Sequence, residues 1–185
     1  VPIGREIMDG KGLCFTCHTI GQTGALRFPD LSGIAGRATT RVPGLSDVEY
    51  FAQSMYEPDS YVVEGFNPGM PVINEPPIGL TDQEILVVIA YLQSLGGEIT
   101  VEITSQDVAT AEARKNKPAP VATSNHPGFA LLTSKGCVAC HDLNGTARLV
   151  GPPLSNVHER LTADAIRESI VDPNAVIAEG FLPGL

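Results

Sequence analysis

Apolar residues recur three and four positions apart in several segments of the chain, which is the spacing of one helix face. Ser46 precedes one such segment, and Thr162 is predicted to cap the matching one. Thr81 is followed three residues later by Glu84, and this capping box predicts a helix through Leu95. The apolar positions after Ser46 are Val48, Phe51, Ala52 and Met55, and those after Thr162 are Ile166 and Ile170. Short helices are also predicted over Gly4–Lys11 and Gly128–Ser134.

The segments between these predicted helices are of a different kind. Most are rich in glycine and proline, which predicts loops. Ile99–Thr104 alternates apolar and polar residues and predicts a short strand. Ala111–Ser124 is rich in alanine, lysine and proline, which is typical of a solvated linker. We therefore expect two domains, at 1–97 and 126–185, joined by an irregular linker at 98–125.

The two predicted domains repeat one another. Each carries a Cys-x-x-Cys-His motif, at Cys14–His18 and at Cys137–His141, and a leucine follows fourteen residues after the second cysteine. The first copy holds about eight extra residues, mostly near Ala38–Gly44. Further matches are Phe28–Ser32 with Gly151–Ser155, Arg37 with Arg160, Glu57–Asp59 with Asp172–Asn174, and Glu64–Gly69 with Glu179–Gly184.

The Cys-x-x-Cys-His spacing is the attachment signal of a covalently bound haem. Two thiols can add across the two vinyl groups of a porphyrin, because one helical turn presents both sulfurs to the same haem edge. The next histidine then reaches the iron from the proximal side. The sequence therefore predicts two haem c groups, attached through Cys14, Cys17 and His18 and through Cys137, Cys140 and His141.

Two other classes of site also use paired cysteines. Zinc binds to two Cys-x-x-Cys pairs, but such pairs usually lie close in sequence and need no trailing histidine. Here 123 positions separate Cys14 from Cys137. A thioredoxin-like redox pair belongs to a βαβ setting, which the pattern does not predict. Haem attachment is therefore favoured over both.

Haem iron needs a further axial ligand or an open position. Met70 lies between Gly69 and Pro71, outside any predicted helix, and such a loop can direct a thioether at the iron. A methionine is more often core filler, and that interpretation is favoured for Met8 and Met55, which lie at helical positions. Met70 is therefore predicted to be the distal ligand of the first haem.

The distal ligand of the second haem stays open. An alignment without a gap in the final loop places Leu185 at the position of Met70, and leucine cannot ligate iron. Either this haem has an open or different sixth position, or its ligand follows Leu185. We favour a methionine there and expect the native chain to continue. His126 and His158 are predicted to be surface residues or supporting residues rather than ligands.

The charge of the chain indicates which classes of partner it binds. The formal net charge is −9 at pH 7, which argues against nucleic acid as a partner and favours partners with basic docking surfaces. The alternative is that the charge serves only solubility.

The chain lacks tryptophan and only 5% of it is aromatic, so a buried cofactor would supply core area. The longest apolar run, Ile85–Leu92, is far below the roughly 20 residues that span a bilayer. No signal peptide is visible in the first residues.

The chain resembles the class I cytochrome c family in duplicate. The first copy is similar over 3–97, through its cysteine motif, Pro29, the segment Leu31–Arg37 and Met70. The second copy matches from about Pro127, more loosely, since Asn156–Arg160 replaces the Gly-x-x-Gly-Arg pattern. The resemblance implies an all-α fold, with two tandem domains that each pack a few helices around one haem.

The resemblance also implies roles for four further residues. The positions of Pro29 and Pro152 match a proline whose carbonyl accepts a hydrogen bond from the free N–H of the proximal histidine. The position of Arg37, and more loosely that of Arg160, matches an arginine near a haem propionate. Because c-type haem attachment takes place outside the cytoplasm, the resemblance implies a periplasmic location or the extracytoplasmic face of a membrane.

The predicted activity is electron transfer between redox protein partners. Ligation by histidine and methionine stabilises ferrous iron and leaves no position for a substrate. The protein would be a shuttle or the cytochrome subunit of a respiratory or photosynthetic membrane complex, and not itself an enzyme. The alternatives are a dihaem enzyme of the peroxidase or thiosulfate-dehydrogenase type, or a gas sensor with an open second haem. No acid–base cluster is recognisable beside either motif.

Overall fold

A computed structural model describes residues 1–185 except 25, 27, 77, 118–125, 144, 146–148, 182 and 184–185. Within the described residues the regular structure is helical and contains no strand, which confirms the all-α prediction. The chain divides into two compact units, Val1–Thr123 and Ser124–Leu185. The helices are α1 Pro2–Asp9, α2 Ile34–Arg41, α3 Asp47–Tyr56, α4 Asp82–Ser94, α5 Ser105–Arg114, α6 Pro127–Ser134, α7 Cys137–Cys140, α8 Val157–Arg160 and α9 Ala163–Val171, with 3₁₀ turns at Cys14–Thr16 and Pro58–Ser60.

The core of the first unit is centred on the contact between α1 and α4. Ile7 on α1 and Ile85 and Ile89 on α4 are buried, and each such side chain stabilises the fold by about 1.5–3 kcal/mol. Gly4 lies where the two helices approach most closely. A Cβ at this position would lie 2.2 Å from the carbonyl oxygen of Val87, so only glycine permits this approach.

Capping boxes begin both α3 and α4, and the one at Thr81 and Glu84 was predicted from the sequence. The Ser46 N–H donates to the Glu49 carboxylate at 2.8 Å, and the Glu49 N–H donates back to the Ser46 hydroxyl. Thr81 and Glu84 repeat this exchange, with the Thr81 N–H 2.8 Å from the carboxylate. Each cap contributes about 1 kcal/mol, and together they fix the two longer helices of this core. Met55, on α3, is 5% exposed in the core, as predicted.

The segment after α4 differs from the sequence-based expectation. Residues 99–104 form no strand, so that prediction is wrong. Val101 and Ile103, which produced the alternating pattern, pack against the core of the first unit. The alternation therefore records one face of an irregular segment lying on a helical core, and not pairing with a neighbouring strand.

A helix also occupies part of the predicted linker. α5 begins at a capping box formed by Thr104 and Asp107 and packs against α4 and α1. Ala111, the first residue of the segment predicted to be a solvated linker, lies on this helix and is fully buried. The beginning of that segment is therefore not solvated. Residues 118–125 of the predicted linker lie outside the described residues. The domain boundaries at 97 and 126 stay a prediction.

A buried ion pair lies beneath α5. The Lys11 Nζ is 2.8 Å from both carboxylate oxygens of Glu84, and these side chains are 2% and 0% exposed. Arg114 on α5 brings its Nε to 3.8 Å from the same carboxylate. At the surface, Lys115 pairs with Glu112 and Glu6. The hydrogen bonds that it donates to them, first of all the one to Glu112, raise the pKa of Lys115.

The second unit carries α6 to α9. The His126 ring caps α6, accepting a hydrogen bond from the Gly128 N–H at 3.1 Å. Thr162 caps α9 through its hydroxyl, as predicted. Several apolar side chains are exposed, including Leu131 at 60% and Ile170 at 76%. Among the described residues, no helix has the length and apolar character needed to cross a bilayer.

Candidate functional site

The loops that carry the two cysteine motifs have the same backbone course. Over the matched segments Leu13–Arg37 and Gly136–Arg160, corresponding residues are 123 positions apart in sequence. Leu13 and Gly136 both have positive φ, at 54° and 75°, and so do Gly33 and Asn156, at 60° and 53°. Positive φ is uncommon outside glycine. Its recurrence at matched positions shows that the repeat extends to the backbone.

Each motif forms one tight turn that ends at its histidine. The His18 N–H donates to the Cys14 carbonyl at 2.8 Å, and the His141 N–H donates to the Cys137 carbonyl at 3.0 Å. One turn therefore carries both cysteines of a motif. Cys140 is buried and Cys14 is half-buried. Burial raises the pKa of the Cys14 thiol to about 12, against the smaller opposing effect of a backbone hydrogen bond.

Both histidine rings have the orientation that an iron ligand requires. The His18 Nδ1 lies 2.8 Å from the Pro29 carbonyl oxygen, and the His141 Nδ1 lies 2.6 Å from that of Pro152. A carbonyl oxygen only accepts, so Nδ1 carries the proton and Nε2 presents its lone pair. Burial lowers the pKa of His18 more than the bond to Pro29 raises it, which favours the neutral ring. The hydrogen bonds implied by the resemblance are present in both copies.

Asp30 stabilises the loop that follows Pro29 in the first unit. Its carboxylate accepts hydrogen bonds from the Thr19 hydroxyl at 2.8 Å, from the Gln22 N–H at 3.0 Å, and from the N–H and hydroxyl of Ser32. These bonds, led by that from the Ser32 hydroxyl, hold the pKa of Asp30 well below its usual range. The carboxylate is therefore ionised at neutral pH and keeps the loop, and with it the Pro29 carbonyl, in place.

Arg37 contacts this loop as well, and Arg160 contacts the matching loop of the second unit. Arg37 donates from its guanidinium to the carbonyl oxygens of Ser32 and Asp30, at 2.5 and 2.9 Å. Arg160 donates to the corresponding Pro153 carbonyl at 2.7 Å. The structure thus places both guanidinium groups on the backbone that follows the proline. A role for Arg37 at a haem propionate stays a prediction.

Met70, the predicted distal ligand of the first haem, lies in a loop of the first unit. Met70 is half-buried in a non-helical loop and packs against the core of the first unit, directly after Gly69, whose φ is 130°. Its role as an iron ligand stays a prediction. Leu185, its predicted counterpart, lies outside the described residues. His126 and His158 are exposed, as predicted for surface residues.

The residues present fit a haem group. The donor set of each motif is two thiols and one imidazole with a free Nε2, and the first unit adds a thioether. In the same unit the Arg41 Nη1 is buried and has no hydrogen-bond partner. An unpaired charged donor is costly in a protein interior, and a haem propionate would supply its acceptor. Residues of the first unit could therefore hold the porphyrin by its edge, its iron and an acidic substituent.

Sequence reasoning missed the hydrogen bonds that Asp30 accepts within its loop and the Arg41 Nη1 that has no hydrogen-bond partner. The signal for the first was present, because an aspartate two residues before a serine commonly accepts hydrogen bonds from the following backbone. Arg41 lies one helical turn after Arg37 on α2, so the two share a helix face. That spacing alone does not show which of the two guanidinium groups is already engaged.

Comparison with known proteins identifies the family. No curated protein matches the chain. A family model described as Cytochrome c matches residues 3–96 and 126–181, and these two segments make up more than half of the chain. α5 falls between the two matches. The two segments correspond to the two copies in which a cysteine motif, a histidine and a proline carbonyl have the same geometry. The chain therefore belongs to the cytochrome c family and carries two of its domains in tandem.

Proposed function

We propose that the protein carries electrons through two covalently attached haem c groups, as a shuttle or as the cytochrome subunit of a larger complex. Haem-based electron transfer follows from the family. The observation that supports two working sites is the duplicated hydrogen bond from His18 to Pro29 and from His141 to Pro152. A degenerate second copy would have no reason to keep the ring orientation that an iron ligand needs.

Each residue has a definite task in this proposal. Cys14 and Cys17, and likewise Cys137 and Cys140, hold the porphyrin by its edge. The Pro29 carbonyl holds the His18 ring and increases its basicity, so that Nε2 donates more strongly to the iron. The haem supplies, when bound, a one-electron ferric/ferrous couple.

Met70 is the proposed distal ligand in the first unit. A thioether favours the reduced iron, and the fully ligated iron has no position for a substrate. Pro71 follows Met70 directly, and its fixed φ restricts the conformations of the loop that holds the sulfur. This arrangement suits an electron carrier better than a catalyst.

The charge distribution supports a basic redox partner. Between Arg41 and Arg114 the sequence has no lysine or arginine. Glu57, Asp59, Glu64 and Glu75 flank Met70 in sequence, and all four are exposed. We therefore propose that the partner presents lysine or arginine around its own redox centre. Because haem c is attached outside the cytoplasm, we place the protein in the periplasm or on the extracytoplasmic face of a membrane.

Counting covalent haems tests the proposal. The protein would be produced with a c-type maturation system, and its mass measured after denaturation. The wild type should carry two haems, and Cys14→Ala with Cys17→Ala, or Cys137→Ala with Cys140→Ala, should each carry one. Thr16→Ala, at an exposed position between the first two cysteines, is the control and should keep both. A wild type without covalent haem, or two haems on either double variant, would contradict the proposal.

A further inference from the structure

The two proximal sites differ at several matched positions, and one of these positions lies against the histidine ring in both units. Phe28 and Gly151 are 123 positions apart, and each directly precedes the proline whose carbonyl accepts the hydrogen bond from the proximal histidine. At this position the first unit has a phenyl ring, and the second unit has no side chain.

In the first unit the phenyl ring lies beside the imidazole. The ring centroids of Phe28 and His18 are 6.4 Å apart, with the planes tilted by 60°. This distance is within the range of aromatic pairs, and Phe28 is half-buried. An apolar side chain therefore forms part of the wall around the first proximal histidine.

In the second unit the imidazole rests directly on backbone. A Cβ at Gly151 would lie 2.5 Å from the His141 Cε1 and 2.8 Å from its Nδ1. No side chain can occupy this position unless the ring moves. The Gly151 N–H donates to the Cys140 carbonyl at 2.8 Å, which holds this backbone in place. The His141 ring therefore packs on the Gly151 backbone, whereas a phenyl ring lies beside His18.

We propose that Phe28 and Gly151 are positioning residues that make the two haems unequal, with the phenyl wall raising the reduction potential of the first. The inference rests on the proposed function, since it needs a haem in each unit. A ferric haem with neutral axial ligands carries one more positive charge than the ferrous form. An apolar wall disfavours the more charged form, and the glycine at the matched position of the second unit supplies no such wall. Burial and the surroundings of the axial ligand are established controls of haem potential.

Variants of equal size and different polarity test the role of Phe28. Phe28→Leu keeps an apolar wall, and Phe28→Gln replaces it with an amide of similar volume. Both would be studied in the full chain by spectroelectrochemical titration, with each haem assigned from the double-cysteine variants that lack the other. Phe28→Gln should lower the midpoint of the first haem below that of Phe28→Leu, while the second haem titrates as in the wild type. Equal midpoints in the two variants would overturn the proposal.

Two glycine-to-alanine variants test the positioning role of Gly151 in the second unit. Gly151→Ala should displace the His141 ring and change the low-spin absorption or the midpoint of the second haem alone. Gly36→Ala is the matched control, because a Cβ there meets nothing within 4 Å, and it should change neither haem. If Gly151→Ala leaves the second haem unchanged, its positioning role is wrong. Haem counts by mass separate the two questions: missing haem in the wild type refutes the proposed function, whereas two attached haems with unmoved midpoints refute only this inference.

Discussion

At the scale of single residues, the site depends on which atom of each side chain is already engaged. His18 donates from Nδ1 to Pro29, so only Nε2 is available to a metal. The Arg37 guanidinium is engaged by two backbone carbonyls, whereas the Arg41 Nη1 has no hydrogen-bond partner. The family resemblance points to Arg37 at a propionate, and the Arg41 Nη1 makes that residue a second candidate in the first unit.

Replacing Met70 tests the distal ligand. Met70→Ala should leave the first iron with an exchangeable sixth position, so that its absorption becomes high-spin and the reduced protein binds about one equivalent of carbon monoxide more than the wild type. Met55→Leu is the matched control, because Met55 is 5% exposed in the core and a volume-conserving change there costs less than about 1.5 kcal/mol. Unchanged low-spin spectra of both haems in Met70→Ala would exclude Met70 as the ligand.

The residues that could be predicted are those whose spacing along the chain reflects the chemistry. Two cysteines and a histidine within five positions specify attachment to one haem edge, and a fixed interval then locates Pro29 and Pro152. The contact of Phe28 with His18 could not be predicted, because it depends on the direction of a side chain in a loop. The same limit applies to Arg37, whose partners are backbone carbonyls that any sequence provides.

At the scale of helices, the caps were more informative than the apolar pattern. Ser46, Thr81 and Thr162 each begin a helix where predicted, because a cap is a local hydrogen bond between residues three positions apart. The strand predicted at 99–104 was wrong because alternation over six residues records only which side is buried. α5 was missed because its burial depends on Ala111, a small residue that carries little pattern.

Two lysines provide a test of what the burial of an ion pair contributes to stability. Lys11→Met removes one partner of the buried pair and leaves the Glu84 carboxylate charged in the core, which should lower the free energy of unfolding by about 3–5 kcal/mol. Lys115→Met removes a lysine that pairs with Glu6 and Glu112, which are 53% and 50% exposed, and it should cost no more than about 1 kcal/mol. Urea unfolding followed by circular dichroism measures both. Equal losses in the two variants would mean that burial of the Lys11–Glu84 pair has no energetic consequence.

At the scale of the whole molecule, two features combine. Each of the two units carries one candidate haem site, and basic residues are absent between Arg41 and Arg114. The formal net charge of −9 is therefore unevenly distributed along the chain. The acidic residues Glu64 and Glu75 lie on either side of Met70 in sequence and are exposed. A field of one sign near a redox centre accelerates encounter with partners of the opposite sign.

Small redox ions of opposite charge test whether this field acts at the first haem. Electron exchange with hexaammineruthenium(III), a trication, should slow about tenfold or more as salt is raised from low to high ionic strength, because screening removes the attraction. Exchange with ferricyanide, a trianion, should become faster over the same range. Glu64→Gln with Glu75→Gln should weaken both salt dependences, whereas Asp164→Asn with Glu168→Gln, at exposed positions on α9, should not. The measurement is stopped-flow absorbance in the variant that lacks the second pair of cysteines, so that only the first haem reports. If both ions respond to salt in the same direction, the acidic surface does not steer partners to this haem, and the case for a basic partner fails with it.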